Sequence, residues 1–360
     1  MSFYKSPSGV TWQTKEPLTR SQLNNELSDA GVNLVSSVDW NNQIARNTVA
    51  SSTNDLTNES DYRTALPKSI TPYDGLEIKG QGIHSSCFAA ALVGVAEDQF
   101  FQATKTVKRF AIWPTYMVGQ KQTPGLYGED GGTVPPHGIA AATKYGFLSE
   151  DTARKYLPPE LVKKWKGDVY PRGYWTGQGN FERVAQAAYT EACRAYEPIL
   201  NREDVREEMY GNRMETVIEA NSPEDIIEAI RAQTATNLAC HVWTPDCDSD
   251  PNRINTFSGQ SRGGQHGHHA TYEAWLSPAG ELIKANSWRE FMLLMMAREK
   301  GSQELGRKEW GDDGLKTWDM RRAFVAAFRH HQSFNYLCSN MTVSKSIQRE
   351  AQTDDRRRYT

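Results

Sequence analysis

The chain has 360 residues, enough for one large domain or two smaller ones with a substantial core. Its 41 basic and 44 acidic side chains give a net charge of −3, which indicates neither a nucleic-acid partner nor an anionic membrane. No apolar run approaches the roughly 18 residues of a membrane span, and the N-terminal residues lack the apolar core of a secretory signal. Five cysteines without such a signal predict reduced thiols and a cytoplasmic protein.

The first 65 residues differ in composition from the rest of the chain. They are rich in Ser, Asn and Thr, most densely at 47–60, and contain only short apolar patches such as 31–40. A segment with so few apolar residues buries little core of its own, so residues 1–65 are predicted to form a polar N-terminal arm or pro-segment. A surface-wrapping extension that serves stability alone is an equally good interpretation.

Predicted helices follow from about residue 66. The most distinct one begins at Cys87, because the apolar residues after it recur at a spacing that places them on one helix face. Those apolar residues are Phe88, Leu92, Val95, Ala96 and Phe100. Further helices are predicted near Trp113-Pro114, between a Gly/Pro-rich loop and Tyr145-Gly146, over 181–200, and over 221–233 with Ser222 as cap.

The second half of the chain carries short β-like runs at 237–243, 268–276 and 281–288. Helices that come first and strands that come later are typical of an α+β protein, here in two subdomains with a cleft between them. The last residues read as a solvated, charged tail.

Cys87, at the start of its helix, is either a nucleophile or an ordinary core residue. A reactive cysteine must lose its proton, and the free N–H groups and dipole of a helix N-terminus lower a thiol pKa. It also needs a base and donors for the oxyanion. Inert cysteines are common beside apolar helices, so the position alone does not decide between these two interpretations.

Candidates for the base and its partner lie on the predicted strands. His266, His268 and His269 form a cluster that enters one strand, and Asn286 lies at the end of the next. The turn at 277–280 would make these strands neighbours and bring His269 and Asn286 side by side. An Asn oxygen in that place can fix the tautomer and angle of the imidazole.

Two metal-site interpretations compete with this one. The three histidines could form a polar turn or a zinc site, but no Cys or carboxylate at ligand spacing accompanies them. Cys240, His241 and Cys247 also lie close together in the sequence. Because Cys240 alternates with Val242 as a strand residue does, structural cysteines are favoured there, and we predict no metal and no other cofactor.

Taken together, these stretches resemble the papain-like cysteine peptidases in order and in separation. The segment QGIHSSCF resembles that family's Q-G-x-C-G-S-C-W segment. Gln81 stands where the family has its oxyanion-hole glutamine, Ser86 matches the serine before the nucleophile, and Cys87 matches the nucleophile itself. HHATYEAW resembles the family's histidine strand, and the resemblance implies that His269, the histidine followed by alanine, is the base.

Three more segments extend the resemblance. KANSW is similar to K-N-S-W, which implies that Asn286 orients the histidine and that the Trp288 indole shields this asparagine beside the substrate. YGEDGG is similar to Y-G-C-N-G-G, whose glycines border the substrate cleft, so Gly131 and Gly132 are implied to bind substrate backbone. WGDDG at 310–314 is similar to the W-G-x-x-G that follows.

The resemblance implies a fold and a division of the chain. A helical left subdomain at about 81–215 and an antiparallel, β-barrel-like right subdomain at about 216–340 would hold the active site in the cleft between them. Together they make a papain-like domain at 66–340, followed by a charged tail at 341–360. The implied activity is thiol-dependent hydrolysis, with a peptide or protein as substrate.

The chain departs from the family in three places. His84 and Glu129 stand where the secreted enzymes carry a pair of disulfide-forming cysteines, and we hypothesise that the two side chains face one another as a polar or ionic substitute. An insertion at about 289–309 reads as a partly apolar helix that packs on the body or binds a partner. The N-terminal arm lacks the charged helical pattern of the family's inhibitory pro-segment.

These departures keep two alternatives open. A papain-like body with an arm and an inserted helix could be an assembly component, for example of a virus or phage particle, in which the site is little used. Assembly partners would then bind the N-terminal arm and the inserted helix. The chemistry could also act on another carbonyl, as in an amidase or transferase. Neither a nucleic-acid partner nor a membrane is expected.

Overall fold

A computed structural model of the chain describes residues 2–5, 11–14, 20–29, 31–36, 39, 41–43, 45, 64–123, 125–133, 135–171, 181–220, 222–243, 267–280, 282–285, 287, 315–318 and 334–341. The helices are α1 (Arg20–Asp29), α2 (Cys87–Thr104), α3 (Ile112–Lys121), α4 (Pro135–Lys144), α5 (Glu150–Tyr156), α6 (Pro159–Lys164), α7 (Phe181–Leu200), α8 (Glu203–Tyr210) and α9 (Pro223–Arg231). The strands are β1 (Ser2–Lys5), β2 (Thr11–Thr14), β3 (Leu34–Ser36), β4 (Met214–Glu219), β5 (Thr236–Trp243), β6 (Gly267–Leu276), β7 (Leu282–Ala285), β8 (Leu315–Trp318) and β9 (Phe334–Met341).

Helix α2 is the centre of the fold. It begins at Cys87 as predicted, and all five apolar residues of its predicted face are buried. The opposite face is buried too, including Glu97 and Asp98, so the helix is enclosed on every side from Phe88 to Phe100. It ends at Thr104 and is capped by Lys105, whose backbone is left-handed and donates its N–H to the Phe101 carbonyl at 2.7 Å.

Seven strands form the main sheet, in the order β3-β4-β9-β5-β6-β7-β8. Only the β3–β4 pair among these described strands is parallel. Helix α2 lies directly on β6: a Cβ at Gly94 would stand 2.1 Å from Cε1 of Tyr272. Glycine is therefore needed at this contact, which fixes how closely the helix that starts with Cys87 approaches the strand that carries His269.

The predicted elements of the second half are present. Ser222 caps α9, since its Oγ accepts the N–H of Asp225 at 3.1 Å. Strands β6 and β7 form the predicted antiparallel pair, joined by a turn in which Gly280 donates its N–H to the Ser277 carbonyl at 2.8 Å. Strand β7 ends at Ala285, three residues before the predicted end at 288.

The protein is a mixed α+β structure, as predicted. The described strands make an open sheet, so closure into a barrel and the division into two subdomains stay predictions. Within the N-terminal segment, β3 pairs with β4, and Leu27 and Val32 pack in the main core. The predicted domain boundaries stay predictions, and the predicted insertion at 289–309 and the tail beyond 341 lie outside the described residues. No described helix is long and apolar enough to cross a membrane.

A buried carboxylate ties α2 to the sheet. Asp98 accepts hydrogen bonds from the Thr236 hydroxyl, at the start of β5, and from Gln102 Nε2 at 2.6 Å. Gln99 Nε2 donates to Thr236 Oγ1 at 2.8 Å and completes the cluster. Burial raises the pKa of the Asp98 carboxyl to about 7, although these hydrogen bonds lower it.

Asp98→Asn should flatten the dependence of folding stability on pH. The folded protein holds the Asp98 proton more tightly than the unfolded chain, whose Asp pKa is about 3.9. The free energy of unfolding therefore falls as pH rises from about 4 to about 7, by roughly 4 kcal/mol for this group. Burial also raises the pKa of the Glu97 carboxyl to about 7, and this group contributes a similar slope. Urea unfolding of Asp98→Asn between pH 4 and 8 should therefore show about half of the wild-type decrease in the free energy of unfolding. Thr236→Ser keeps the donor and should keep the full slope; an unchanged slope in Asp98→Asn would contradict the assignment.

Candidate active site

Cys87 stands at the helix start with its thiol among backbone donors. The backbone N–H groups of Cys87 and Phe88, both in the first turn of α2, and of Ala270 in β6 are near enough to the thiol to lower its pKa. These donors lower the pKa of a thiol, but Cys87 is half-buried, and burial is the larger effect. Burial therefore raises the pKa of the Cys87 thiol to about 11.

The Ala270 contact brings the strand with the predicted base to the thiol. His269 is the residue before Ala270 in β6, and its backbone pairs with that of His241 in β5. The His269 side chain lies outside the described part of the structure, as do the whole of Asn286 and Trp288. The structure thus places the backbone next to His269 at Cys87, and the roles of these three side chains stay predictions.

Gln81 is fixed by Ser287, the residue between Asn286 and Trp288. The Gln81 N–H donates to the Ser287 carbonyl at 2.9 Å, and the Ser287 hydroxyl donates to Gln81 Oε1 at 2.8 Å. Gln81 Nε2 donates one hydrogen to the His84 carbonyl at 2.6 Å. An amide nitrogen has two hydrogens, so a second one is left for an oxyanion. Ser287 therefore contacts the predicted oxyanion-hole glutamine directly.

The residues just before Gln81 are anchored inside the protein. Lys79 is buried and bonds two carboxylates, Glu97 at 2.9 Å and Glu150 at 2.6 Å. The Gly80 carbonyl accepts the hydroxyl hydrogen of Tyr170. A buried ammonium with two acidic partners resists displacement, because moving it would leave charges unpaired in the interior.

His84 pairs with Asp130, and the hypothesis of a His84–Glu129 pair is wrong. Nδ1 of His84 lies 3.0 Å from Asp130 Oδ2, and both side chains are buried. The Glu129 residue is exposed; its carbonyl accepts Gln120 Nε2 at 3.0 Å. The physical reason is a tight turn, in which Gly131 donates its N–H to the Glu129 carbonyl at 2.8 Å and Asp130 turns inward.

The two predicted rim glycines are both buried. Gly132 donates its N–H to the Tyr116 hydroxyl at 2.9 Å and accepts Gln120 Nε2 on its carbonyl at 3.0 Å. Its backbone φ of +90° is one that glycine adopts readily. In this conformation the Gly132 N–H is occupied from inside the protein, and a substrate could pair with it only if Tyr116 released it.

Ser86 has an unusual environment for a residue at a helix start. Serine at this position commonly accepts a backbone N–H of the first turn, but Ser86 makes no such bond. Its hydroxyl is buried and has no hydrogen-bond partner in the described structure. It is therefore a spare polar group directly beside the predicted nucleophile.

No metal site is found among the described residues. The alternative zinc ligands do not enter that search, because His266 and Cys247, and the side chains of Cys240, His241, His268 and His269, lie outside the described structure. The absence of a cofactor therefore stays a prediction.

Sequence reasoning missed three residues of this region, namely Ser287, Asp130 and Tyr116. Ser287 was part of the quoted KANSW segment, but nothing in the spacing indicated that it bonds Gln81. Asp130 is adjacent to the residue chosen as the partner of His84, and the only available signal was a second carboxylate in YGEDGG. Tyr116 lies on α3 and carried no motif.

Ser287→Ala should destabilise the protein through Gln81. The substitution removes the hydroxyl that satisfies buried Gln81 Oε1, and an unpaired buried acceptor costs about 1 to 3 kcal/mol. In a double-mutant cycle with Gln81→Ala, urea unfolding should give a coupling energy of about 1 kcal/mol or more. Additive effects of the two substitutions would show that the bond does not stabilise the folded protein.

Comparisons with known proteins return cysteine proteases among solved structures. The chain is similar to xylellain, a cysteine protease from Xylella fastidiosa, with a TM-score of 0.46 and 13% identity over 77% of this chain and 88% of that one. It is also similar to a procathepsin B from Trypanosoma congolense, with a TM-score of 0.45 and 13% identity over 82% of this chain and 84% of that one. No protein-family model and no curated protein matches. Because both TM-scores are below 0.5, the proposals below rest on the contacts of this chain itself.

Proposed function

We propose that this chain is a papain-like thiol hydrolase that cleaves peptides through Cys87, His269 and Asn286. The observation that carries the proposal is the meeting of three distant segments at one helix start. The Cys87 thiol lies against the N–H of Ala270, next to His269, while Gln81 is bonded to Ser287, next to Asn286. These are the segments that resemble the family's catalytic motifs.

In the proposed reaction, His269 takes the thiol proton and the Cys87 sulfur attacks the carbonyl carbon of the scissile bond. The negative charge that forms on the carbonyl oxygen is held by the N–H of Cys87 and the second Nε2 hydrogen of Gln81. His269 returns the proton to the amine, which leaves, and the acyl group stays on sulfur as a thioester. Water, deprotonated by His269, attacks the thioester and releases the acid and the free thiol.

The raised pKa of the thiol explains why a base is needed here. With a pKa of about 11, only about one Cys87 thiol in ten thousand would be ionised at pH 7 without help. An imidazole that accepts the proton forms an ion pair with the thiolate and removes this limit. Asn286 is proposed to hold that imidazole, and Trp288 to shield the asparagine from water.

Peptide is the proposed substrate because the residues predicted to border the cleft, Gly131 and Gly132, offer backbone groups and no side chains. Gly131 is proposed to pair with an extended substrate through its carbonyl. Gly132 would take part only after its N–H leaves the Tyr116 hydroxyl. An extended peptide can pair with such a rim without a side chain of a particular type.

The second candidate is an assembly protein with a papain-like body and a little-used site. Two features favour it: burial raises the pKa of the Cys87 thiol, and Gln81 Nε2 donates to the His84 carbonyl. In that case the N-terminal arm and the insertion at 289–309 would bind the partner, for example within a virus or phage particle. Labelling of Cys87 separates the two candidates.

We expect Cys87 to react rapidly at neutral pH with an epoxysuccinyl peptide and with iodoacetamide. In His269→Ala the rate at pH 7 should fall at least about 100-fold and should then rise with pH toward the thiol pKa of about 11, because no base takes the proton. Peptide mapping identifies the labelled cysteine, and stopped-time assays between pH 5 and 11 give the profile.

His268→Ala, at the neighbouring histidine, is the matched control and should leave the profile unchanged. Cys87→Ala should remove both labelling and turnover of any peptide substrate. A wild-type profile that already follows a pKa near 11 would overturn the enzyme proposal and favour the assembly protein.

A further inference from the structure

His84 and Asp130 do not belong to the proposed catalytic set, but they connect the loop before Cys87 with the turn that leads to Gly131 and Gly132. His84 lies three residues before Cys87, in the buried loop that runs from Gln81 to Ser86. Asp130 lies in the turn that precedes Gly131 and Gly132. The pair is fully enclosed, with 0% of the His84 side chain and 1% of the Asp130 side chain exposed.

The hydrogen-bond partners of the two side chains suit an ionised pair. His84 Nε2 lies 2.9 Å from the Pro171 carbonyl, which can only accept, and Nδ1 lies 3.0 Å from Asp130 Oδ2. Asp130 Oδ1 accepts the Ser85 N–H at 3.0 Å and the Tyr116 hydroxyl at 2.8 Å. A carboxylate surrounded by donors is satisfied when ionised, and a histidine ring between two acceptors is satisfied when both nitrogens carry hydrogen.

We propose that His84 and Asp130 form a buried imidazolium–carboxylate pair that positions the nucleophile loop against the rim of the cleft. This inference rests on the proposed function and assigns a positioning role to both residues. The pair itself touches neither the substrate nor the reacting atoms. It acts through the donors of the oxyanion, which belong to the loop at Gln81 and to Cys87.

Asp130 extends the link to the rim in two directions. Tyr116, whose hydroxyl donates to Asp130, accepts the Gly132 N–H at 2.9 Å through the same oxygen. The Asp130 N–H donates to Gln186 Oε1 at 3.0 Å, and Gln186 Nε2 donates to the Gly128 carbonyl at 2.9 Å. Asp130 therefore connects the loop before the nucleophile with both ends of the turn at 128–132, through its carboxylate toward Gly132 and through its backbone N–H toward Gly128.

Loss of either His84 or Asp130 should change the position of the loop at 81–86 and not only lower the stability of the protein. Removing one charge of a buried pair leaves the other uncompensated, and the loop must move to bring water or another partner to it. A shift of about 1 Å in catalytic groups can cost about 100-fold in rate. The oxyanion donors lie on this loop, so substitutions of His84 or Asp130 should affect mainly kcat. The rim glycines are linked through Tyr116, so a substitution of Tyr116 should affect mainly KM.

The first experiment reads the protonation of His84 directly. Long-range proton–nitrogen NMR of the wild-type protein, with the His84 signals identified by their loss in His84→Gln, should show hydrogen on both ring nitrogens at pH 7. A His84 ring with one bare nitrogen would overturn the imidazolium assignment. This measurement needs no substrate and is independent of the enzyme proposal.

The second experiment tests the positioning role by measuring kinetic constants and amide exchange in a set of variants. His84→Gln and Asp130→Asn should lower kcat about 10- to 100-fold. Tyr116→Phe keeps the ring, removes only the bridging hydroxyl and frees the Gly132 N–H, so it should mainly change KM, by about fivefold, and leave kcat near the wild-type value. Glu129→Gln, at the exposed neighbour, is the matched control and should change neither constant. Amide exchange at Ser85 should accelerate at least about tenfold in Asp130→Asn, and exchange at Gly132 should do so in Tyr116→Phe.

The outcomes separate this inference from the proposed function. If wild-type Cys87 is inert, the enzyme proposal fails, and the exchange of Ser85 and Gly132 still decides whether the pair holds the two segments. If wild type is active and the variants keep wild-type kcat, KM and amide protection, the positioning proposal is overturned. If Asp130→Asn does not fold, Tyr116→Phe carries the test, because its ring still fills the same space.

Discussion

The proposed site depends on a buried loop in which Lys79, Gln81 and His84 find their partners inside the protein. Residues 79–86 are covered on every side, although loops normally run over the surface where water satisfies their backbone. Here the protein supplies the partners: two carboxylates for Lys79, a tyrosine hydroxyl for the Gly80 carbonyl, and Ser287 for Gln81. Since an unpaired buried polar group costs about 1 to 3 kcal/mol, each partner restricts where the loop can lie. The loop reaches Cys87 in one position because of these partners.

The same enclosure sets the chemistry of the thiol. A helix start gives Cys87 two N–H groups that favour a thiolate, and β6 adds a third at Ala270. Burial outweighs all three, since removing water from a charge in a low-dielectric interior costs more than a few backbone dipoles return. A site built in this way cannot rely on the helix dipole alone to ionise its nucleophile. The close approach of α2 to β6 at Gly94 is then as important as the helix start, because it brings the strand of His269 within reach of the sulfur.

Sequence patterns predicted the elements of this site better than their contacts. The buried face of α2, the bounds of α7 and the cap at Ser222 follow from local spacing and side-chain chemistry, and the structure has them as predicted. Partners across the fold depend on how loops turn. Asp130 rather than Glu129 meets His84 because glycines at 128 and 132 adopt φ values of +112° and +90°, which spacing alone does not indicate. The insertion of β9 between β4 and β5 joins segments more than 90 residues apart, and no local signal predicts such a pairing.

A buried ion pair differs from a covalent bridge in what it constrains. A disulfide acts largely on the unfolded chain, whereas a pair such as His84 and Asp130 exists only when the surrounding structure holds both groups in place. Its geometry therefore depends on Tyr116 of α3 and Gln186 of α7, which donate to the carboxylate and accept from its backbone. Disturbing either helix would reach the nucleophile loop through Asp130. The chain thus achieves a cross-link that needs no oxidising compartment, at the cost of making the position of its nucleophile loop depend on the packing of two other helices.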